Sequence, residues 1–357
     1  MLRYSRQTID DDDVAAVGAV LRSDWLTTGP AVEAFEAALV AHTGAAHAVA
    51  FANGTAALHA AAAAAGLGPG DRVATSPLSF VASANCARYV GATPIFVDID
   101  PTTLNLDPAR VPADVDALVA VHYAGLPVDL GALAHRPRVI IEDAAHAIGA
   151  RTPDGPVGNC ARSDLTCFSF HPVKPMTTAE GGAVTTNDDD LAAALRRFRN
   201  HGIVPTPERG PWAYDVVETG FNYRLTDLQA ALGTSQLAKL EGFTVARNVA
   251  AERYRDLLAD APVQLPPAAP EGWRHAHHLF AVRVADRRAA YDALAAADIG
   301  AQVHYVPIHH HTAMAPYGPF DLPAADEAYE HLLSLPLYPG IEPADQERVI
   351  AALESVW

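Results

Sequence analysis

Lysine is nearly missing from this chain: of its 25 basic residues only Lys174 and Lys239 are lysines, and the rest are arginines. Arginine carries a fixed positive charge but stays protonated, so it cannot serve as an amine nucleophile. A lysine retained in such a sequence marks a place where arginine chemistry does not suffice, unless codon bias simply left two survivors. Positive charge is scarce too, since 42 acidic residues bring the formal net charge to −17 at pH 7. That balance excludes nucleic acid and anionic membrane as general partners, because the long-range field repels both. Any phosphate-bearing ligand must then be held by local donors. Only three cysteines occur, Cys86, Cys160 and Cys167, with no Cys-x-x-Cys spacing. Neither a disulfide framework nor a zinc site is expected, and a reducing cytoplasm suits the chain best. No apolar stretch reads as a signal peptide or a bilayer span: the alanine-rich run 58–65 is short and stops at Gly66-Leu-Gly-Pro-Gly70.

What is present is ample material for a core. Half of the 357 residues are hydrophobic and 19% are charged, which suits a large domain plus a smaller one. From about residue 46 to 190, short β-rich runs alternate with helical segments, at 48–52, 72–75, 94–98, 117–122, 139–142, 165–170 and 183–186. Seven such runs predict an α/β fold with a mainly parallel sheet buried on both faces by crossover helices. An acidic helix start at Asp10 to Asp13, a helix over 188–200, a Pro/Gly-rich loop over 201–219 and a long helix over 225–258 surround it. After a proline-rich linker at 262–270 the pattern changes to strand (273–284), helix (286–297), strand (302–305) and two helices (324–334 and 343–356). The reading is therefore a large domain over 1–260 and a smaller α+β domain over 261–357.

Three motifs carry chemistry. Asn53-Gly54-Thr55-Ala56-Ala57-Leu58 follows a strand and opens a helix, where free backbone N–H groups and the Thr55 hydroxyl suit a phosphate dianion; an ordinary Asn-Gly turn with an N-cap would look the same. Val139-Ile-Ile-Glu142-Asp143-Ala-Ala-His146 places a carboxylate at a strand end, where open α/β sheets present groups to ligands. Asp143 there can hold a proton on a pyridine nitrogen or merely cap the next helix, and His146 can pack on such a ring or bond its phenolic oxygen. Ser169-Phe-His-Pro-Val-Lys174-Pro puts the scarce lysine on a proline-constrained loop, aimed either at an aldehyde or only at solvent. Phosphate cradle, ring-nitrogen carboxylate and imine-forming lysine, in that order, are the requirements of pyridoxal phosphate.

With these motifs in place the chain resembles the sugar aminotransferases of the DegT/DnrJ/StrS family, which are fold-type-I pyridoxal-phosphate enzymes. The likeness runs through Trp25-Leu-Thr-Thr-Gly-Pro, Pro77-Leu-Ser-Phe80-Val-Ala-Ser-Ala-Asn85, Glu180-Gly-Gly-Ala-Val, Gly220-Phe-Asn222-Tyr-Arg224-Leu-Thr-Asp and Val303-His-Tyr305-Val-Pro-Ile-His309, besides the three motifs above. The resemblance implies that Lys174 forms an imine with the cofactor and that Asp143 bonds its ring nitrogen. It further implies that Phe80 stacks on the ring, that His146 lies beside it, and that Gly54, Thr55, Ala56 and Ser169 bind the phosphate. Asn222 is expected to reach the phosphate from a neighbouring subunit, which makes a homodimer with shared active sites. Tyr4, Asp24, Trp25, Leu26, Thr27, Tyr305 and His309 are expected at the substrate. Arg224, His304, His309, His310 and His311 are local donors available for a diphosphate. The tract His309-His310-His311 is not assigned to a metal, because three adjacent side chains on one loop do not easily converge on one ion.

The implied reaction moves an amino group, from L-glutamate, onto a keto sugar attached to a nucleoside diphosphate. The motif flavour points to carbon 4 of a UDP-4-keto-6-deoxy-N-acetylhexosamine, as in pseudaminic acid biosynthesis, with TDP- or GDP-linked acceptors as the alternative. A sugar dehydratase on the same fold typically has histidine at the lysine position, which Lys174 argues against. A non-catalytic sensor would have no reason to keep Lys174, Asp143, Ser169 and Thr55 together.

Overall fold

A computed structural model describes all residues from Met1 to Trp357. The seven apolar runs form one sheet: β1 (His47–Phe51), β2 (Arg72–Thr75), β3 (Thr93–Phe96), β4 (Ala117–Val121), β5 (Val139–Asp143), β6 (Leu165–Ser169) and β7 (Gly182–Thr186). Their order across the sheet is β1-β7-β6-β5-β4-β2-β3. Every pairing is parallel except those of β7, which runs antiparallel to both of its neighbours. β4, β5 and β7 are buried along their whole length, as strands covered on both faces by helices must be. One covering layer contains α3 (Gly54–Ala64), whose small side chains let it lie close on the sheet with Val49, Val119, Ile141 and Val184 in a common core that Leu195 of α5 (Asp189–Phe198) joins. The other layer is built on α2 (Pro30–Thr43) and the first half of α6 (Asp227–Leu257), which meet Phe168, Phe170 and Ala183, with α1 (Asp11–Leu21) packed against α6.

The C-terminal part pairs β8 (Phe280–Arg283) antiparallel with β9 (Leu332–Leu335) and packs them against α7 (Arg287–Ala296) and α9 (Pro343–Glu354). The last turns of α6, through Ala250, Tyr254 and Leu258, and the N-terminal Leu2 belong to this second core. The long helix thus ties the two halves of the chain together. Buried Arg247 on α6 sits at their junction and donates from one guanidinium nitrogen to the carbonyls of His277, His278 and Leu337.

Local expectations fail where a short apolar run has no period of its own. The helix expected over 324–334 ends as α8 (Pro323–His331), and the fully buried Leu332-Leu-Ser-Leu run that follows is β9. Four apolar-rich residues fit helix or strand equally well, and pairing with β8 decides. The strand expected over 273–284 forms a ladder only at β8, since its first half crosses the junction under Arg247. The one expected over 302–305 keeps a single bridge, Gln302 to Ser334. The loop 201–219 contains a hairpin, Ile203–Pro205 against Tyr214–Val216.

One buried carboxylate fastens the layer built on α2 and α6. Asp227, at the start of α6, accepts the N–H groups of Gly29 (2.8 Å) and Ala31 (2.9 Å) at the start of α2. Asp227→Ala strands both donors and should cost about 1–3 kcal/mol of stability, while Asp227→Asn, which keeps one carbonyl acceptor, should cost less. Denaturant unfolding of the three proteins checks the order.

Candidate active site

The ends of the sheet strands open into a cavity of about 700 Å³ lined by Tyr4, Asn53, Gly54, Thr55, Ala56, Ser79, Phe80, Asp143, His146, Ser169, Lys174, His278, His304 and Tyr305, among others. It lies at the carboxyl ends of β1, β4, β5 and β6, the crevice where open α/β sheets bind ligands.

Its floor begins at the turn after β1. Asn53 caps α3 by accepting the Ala56 N–H at 2.8 Å, which leaves the N–H groups of Gly54 and Thr55 without an acceptor in the chain. Expected as a phosphate contact, Ala56 thus spends its N–H on the cap, and the free donors are its two predecessors. The packing here excludes larger residues. A Cβ on Gly54 would lie 2.8 Å from Ser169 Cβ, and one on Gly182 would lie 2.5 Å from the Asn53 carbonyl oxygen. Two N–H groups at a helix N-terminus, with the Thr55 and Ser169 hydroxyls beside them, fit a phosphate dianion.

Asp143 ends β5 and is buried. Its Oδ2 accepts the Ser83 hydroxyl at 2.6 Å and its Oδ1 the Ala145 N–H at 3.2 Å. Ser83 lies 2.7 Å from the Ser79 hydroxyl, so two serines on the turn before α4 (Ala82–Tyr89) and in its first turn orient the carboxylate. Lys174 reaches the same cavity from the loop after β6. That loop is held at its ends by Phe170 N–H to Gly181 O (2.9 Å) and Thr178 N–H to Phe170 O (2.9 Å), and in its middle by Ser5 donating to Val173 O (3.1 Å). Burial lowers the Lys174 ammonium to about 8, and the negative charge of Asp143 works in the opposite direction. An amine poised there loses its proton near neutral pH, as a nucleophile and proton carrier must.

Histidines and tyrosines make the facing wall. His146 Nε2 lies 2.9 Å from the Tyr305 hydroxyl, and the two rings stack at 6.0 Å and 23°. His278 packs on His146 with centroids 4.4 Å apart, and His304 on Tyr4 at 5.5 Å. Burial, with Lys174 among the nearby charges, holds His146 and His278 well below the usual imidazole range and pushes His304 down to about 4. All three are neutral at pH 7, so they add no cation beside Lys174. The Nδ1 atoms of His146 and His278 are buried and unpartnered within the chain. Phe80 stands at the mouth, more than half exposed, 6.1 Å from Tyr305.

The sequence reading missed Ser79, Ser83 and His278. The serines four residues apart bracket Phe80 in the quoted motif, a visible spacing for one helical turn, but their target Asp143 lies 60 residues away. His278 was hidden in a run read only as strand. Other expected residues do not line the cavity of the single chain. Asp24, Trp25, Leu26 and Thr27 are exposed, as is Asn222, while Arg224 donates to Asn200 Oδ1 at 2.8 Å. His309 is turned away, between Phe96 and Phe320.

Two outcomes follow from this geometry. Asp143→Asn removes the charge that favours the ammonium, so the Lys174 inflection in a pH titration of its reaction with an aldehyde should move below about 8. Ser83→Ala leaves Asp143 with one donor fewer, a loss of about 1.5–3 kcal/mol for a hydrogen bond to a charged group, and should weaken retention of pyridoxal phosphate in equilibrium dialysis.

Comparison with known proteins agrees with the geometry. The model of the DegT/DnrJ/EryC1/StrS aminotransferase family matches residues 7–354. The spore coat polysaccharide biosynthesis protein SpsC of Bacillus subtilis (strain 168) is 37% identical over 378 residues, covering 99% of this chain and 97% of SpsC. Among solved structures, Helicobacter pylori PseC, an aminotransferase involved in the biosynthesis of pseudoaminic acid, superposes with a TM-score of 0.93 at 30% identity, over 99% of this chain and 98% of PseC. Spr1654 from Streptococcus pneumoniae, solved in its PLP form, superposes with a TM-score of 0.91 at 28% identity, over 99% of this chain and 98% of its own. Its PMP form superposes similarly, with a TM-score of 0.92. The chain belongs to the DegT/DnrJ/EryC1/StrS aminotransferase family and is a pyridoxal-phosphate-dependent transaminase.

Proposed function

We propose that this transaminase moves the amino group of L-glutamate onto carbon 4 of a UDP-4-keto-6-deoxy-N-acetylhexosamine, and that it works as a cytoplasmic homodimer with shared active sites. The observation that carries the reading is the convergence of Lys174, Asp143 and the Gly54–Thr55–Ser169 cradle on one cavity. Similarity to PseC and to SpsC supports a sugar acceptor.

Pyridoxal phosphate, when bound, supplies an electron-withdrawing ring that lets a C–H bond beside an amino group ionise. The N–H groups of Gly54 and Thr55, with the hydroxyls of Thr55 and Ser169, hold its phosphate. Asp143 keeps its ring nitrogen protonated, and Ser83 and Ser79 fix the direction of that carboxylate. Lys174 would anchor it, and its free amine would hold and move a proton at Nζ, taken from the donor's α-carbon in one half of the reaction and handled in the opposite sense on the sugar in the other. An amine with its pKa near 8 can both accept and give up that proton at neutral pH. His146 and Tyr305, joined at 2.9 Å, would flank the ring, and Phe80 stands at the mouth beside Tyr305.

Exposure of Asn222 and of Asp24 to Thr27 in a single chain is consistent with their facing a second subunit, from which Asn222 would reach the phosphate and the other four the sugar nucleotide. His304, Tyr305 and Tyr4 already border the cavity. Arg224 and His309 would have to leave their present partners to join them.

Incubating the enzyme with glutamate and UDP-, TDP- and GDP-linked keto sugars, with mass detection, should show amination of the UDP sugar first. Preference for a TDP- or GDP-linked sugar would replace the proposed acceptor. Lys174→Ala should lower turnover by about 10²–10⁴-fold or more, keep the fold, and lose the cofactor mass that borohydride otherwise fixes on the peptide containing residue 174.

A further inference from the structure

Four and five residues beyond Tyr305, two imidazoles close on one carboxylate oxygen. His309 Nε2 lies 2.9 Å and His310 Nε2 lies 2.8 Å from Asp326 Oδ1. One ligand-type atom from each of the three residues falls within 4.8 Å of the others. The histidines occupy the short turn Ile308–His310, and Asp326 lies in the first turn of α8. The tract that sequence alone assigns to no metal brings two of its three histidines onto a carboxylate, while His311 lies outside the group. The fold supplies the third ligand from another element, 16 residues beyond His310.

Both elements are held independently of this contact. Ile308 N–H donates to Pro77 O at 2.8 Å, and Asp98 accepts the N–H groups of Ala324 and Ala325 at 3.0 Å each. The His309 side chain is 6% exposed, packed between Phe96 and Phe320 with ring centroids 6.3 and 5.8 Å away, so packing sets its direction. The side chains of His310 and Asp326 are 37% and 48% exposed, which leaves a solvent side for an ion to enter and a water to complete its shell.

Two imidazole nitrogens and one carboxylate oxygen are the donor set of borderline divalent ions. Bonds of about 2.0–2.1 Å at tetrahedral angles hold ligand atoms about 3.3 Å apart. To bind one ion each neutral imidazole carries its single proton on Nδ1 and turns its Nε2 lone pair to the metal, and each Nε2 withdraws from Asp326 Oδ1 by roughly half an ångström, which side-chain rotation provides. The charge of −17 favours the cation.

We propose that His309, His310 and Asp326 form a binding site for a borderline divalent cation such as Zn²⁺. The ion ties the 308–310 turn, three residues beyond Tyr305, to α8 and so stiffens one wall of the cavity. The cofactor-loaded full chain, freed of metal by chelation and dialysis, is titrated with ZnCl₂ by calorimetry and with CoCl₂ by ligand-field absorption. One equivalent per chain is expected. Asp326→Asn and His310→Ala should each weaken binding by at least about tenfold, whereas His311→Ala should leave it unchanged. Zn²⁺ should raise the thermal midpoint of the unaltered chain and not that of Asp326→Asn. The circular dichroism and the bound-cofactor absorbance of both variants in chelator should match those of the unaltered chain, which reports that they fold. No saturable equivalent in the unaltered chain, equal binding by Asp326→Asn and His310→Ala, or loss confined to His311→Ala would each overturn the proposal.

Discussion

One amine and one carboxylate share a cavity whose other buried bases are neutral. Burial drives the Lys174 ammonium toward its free base, and Asp143 restrains that drift so that it stops near pH 8. The balance requires that no second cation enter. His146, His278 and His304 meet that requirement because the burial that makes them part of the wall also keeps them unprotonated. Desolvation thus tunes the lysine directly and silences its neighbours at the same time.

Everything that aims those groups is backbone architecture. β5 ends on Asp143 and the adjacent β6 on Ser169, and the turn that opens α3 after β1 brings Gly54 against Ser169, so the sheet and α3 together collect three motifs separated by more than a hundred residues. The fit is close enough that glycine is required where the turn passes β6 and β7, since an added Cβ at Gly54 or Gly182 would strike neighbours that cannot yield. Ser83 and the Lys174 loop then refine the direction of each functional atom with hydrogen bonds from outside the sheet.

A helix spanning both cores makes the enclosure dependent on the whole chain. α6 packs Leu237 and Leu240 against the large sheet and Ala251 and Tyr254 against β8 and β9, while Arg247 between them gathers three carbonyls from the connecting strands. Those connections carry His278 to the cavity, and the segment leading to Tyr305 bridges β9 at Gln302. The C-terminal part therefore acts on the site as a wall, and the large sheet as the floor.

By itself the sequence determined the seven-stranded α/β core and the cofactor motifs, because strand periodicity, a helix-opening Asn-Gly-Thr and a lysine in a proline-bound loop are all local signals. It also determined the choice of lysine over arginine, which is a matter of chemistry and not of position. The tertiary structure alone decided which short apolar runs became β8 and β9, and that Ser83 and His278 belong to the site. It also brought His309 and His310 onto Asp326. These outcomes turn on which groups are left without a partner once distant segments pack, and hydrogen-bond satisfaction is a property of the assembled neighbourhood that no local pattern encodes.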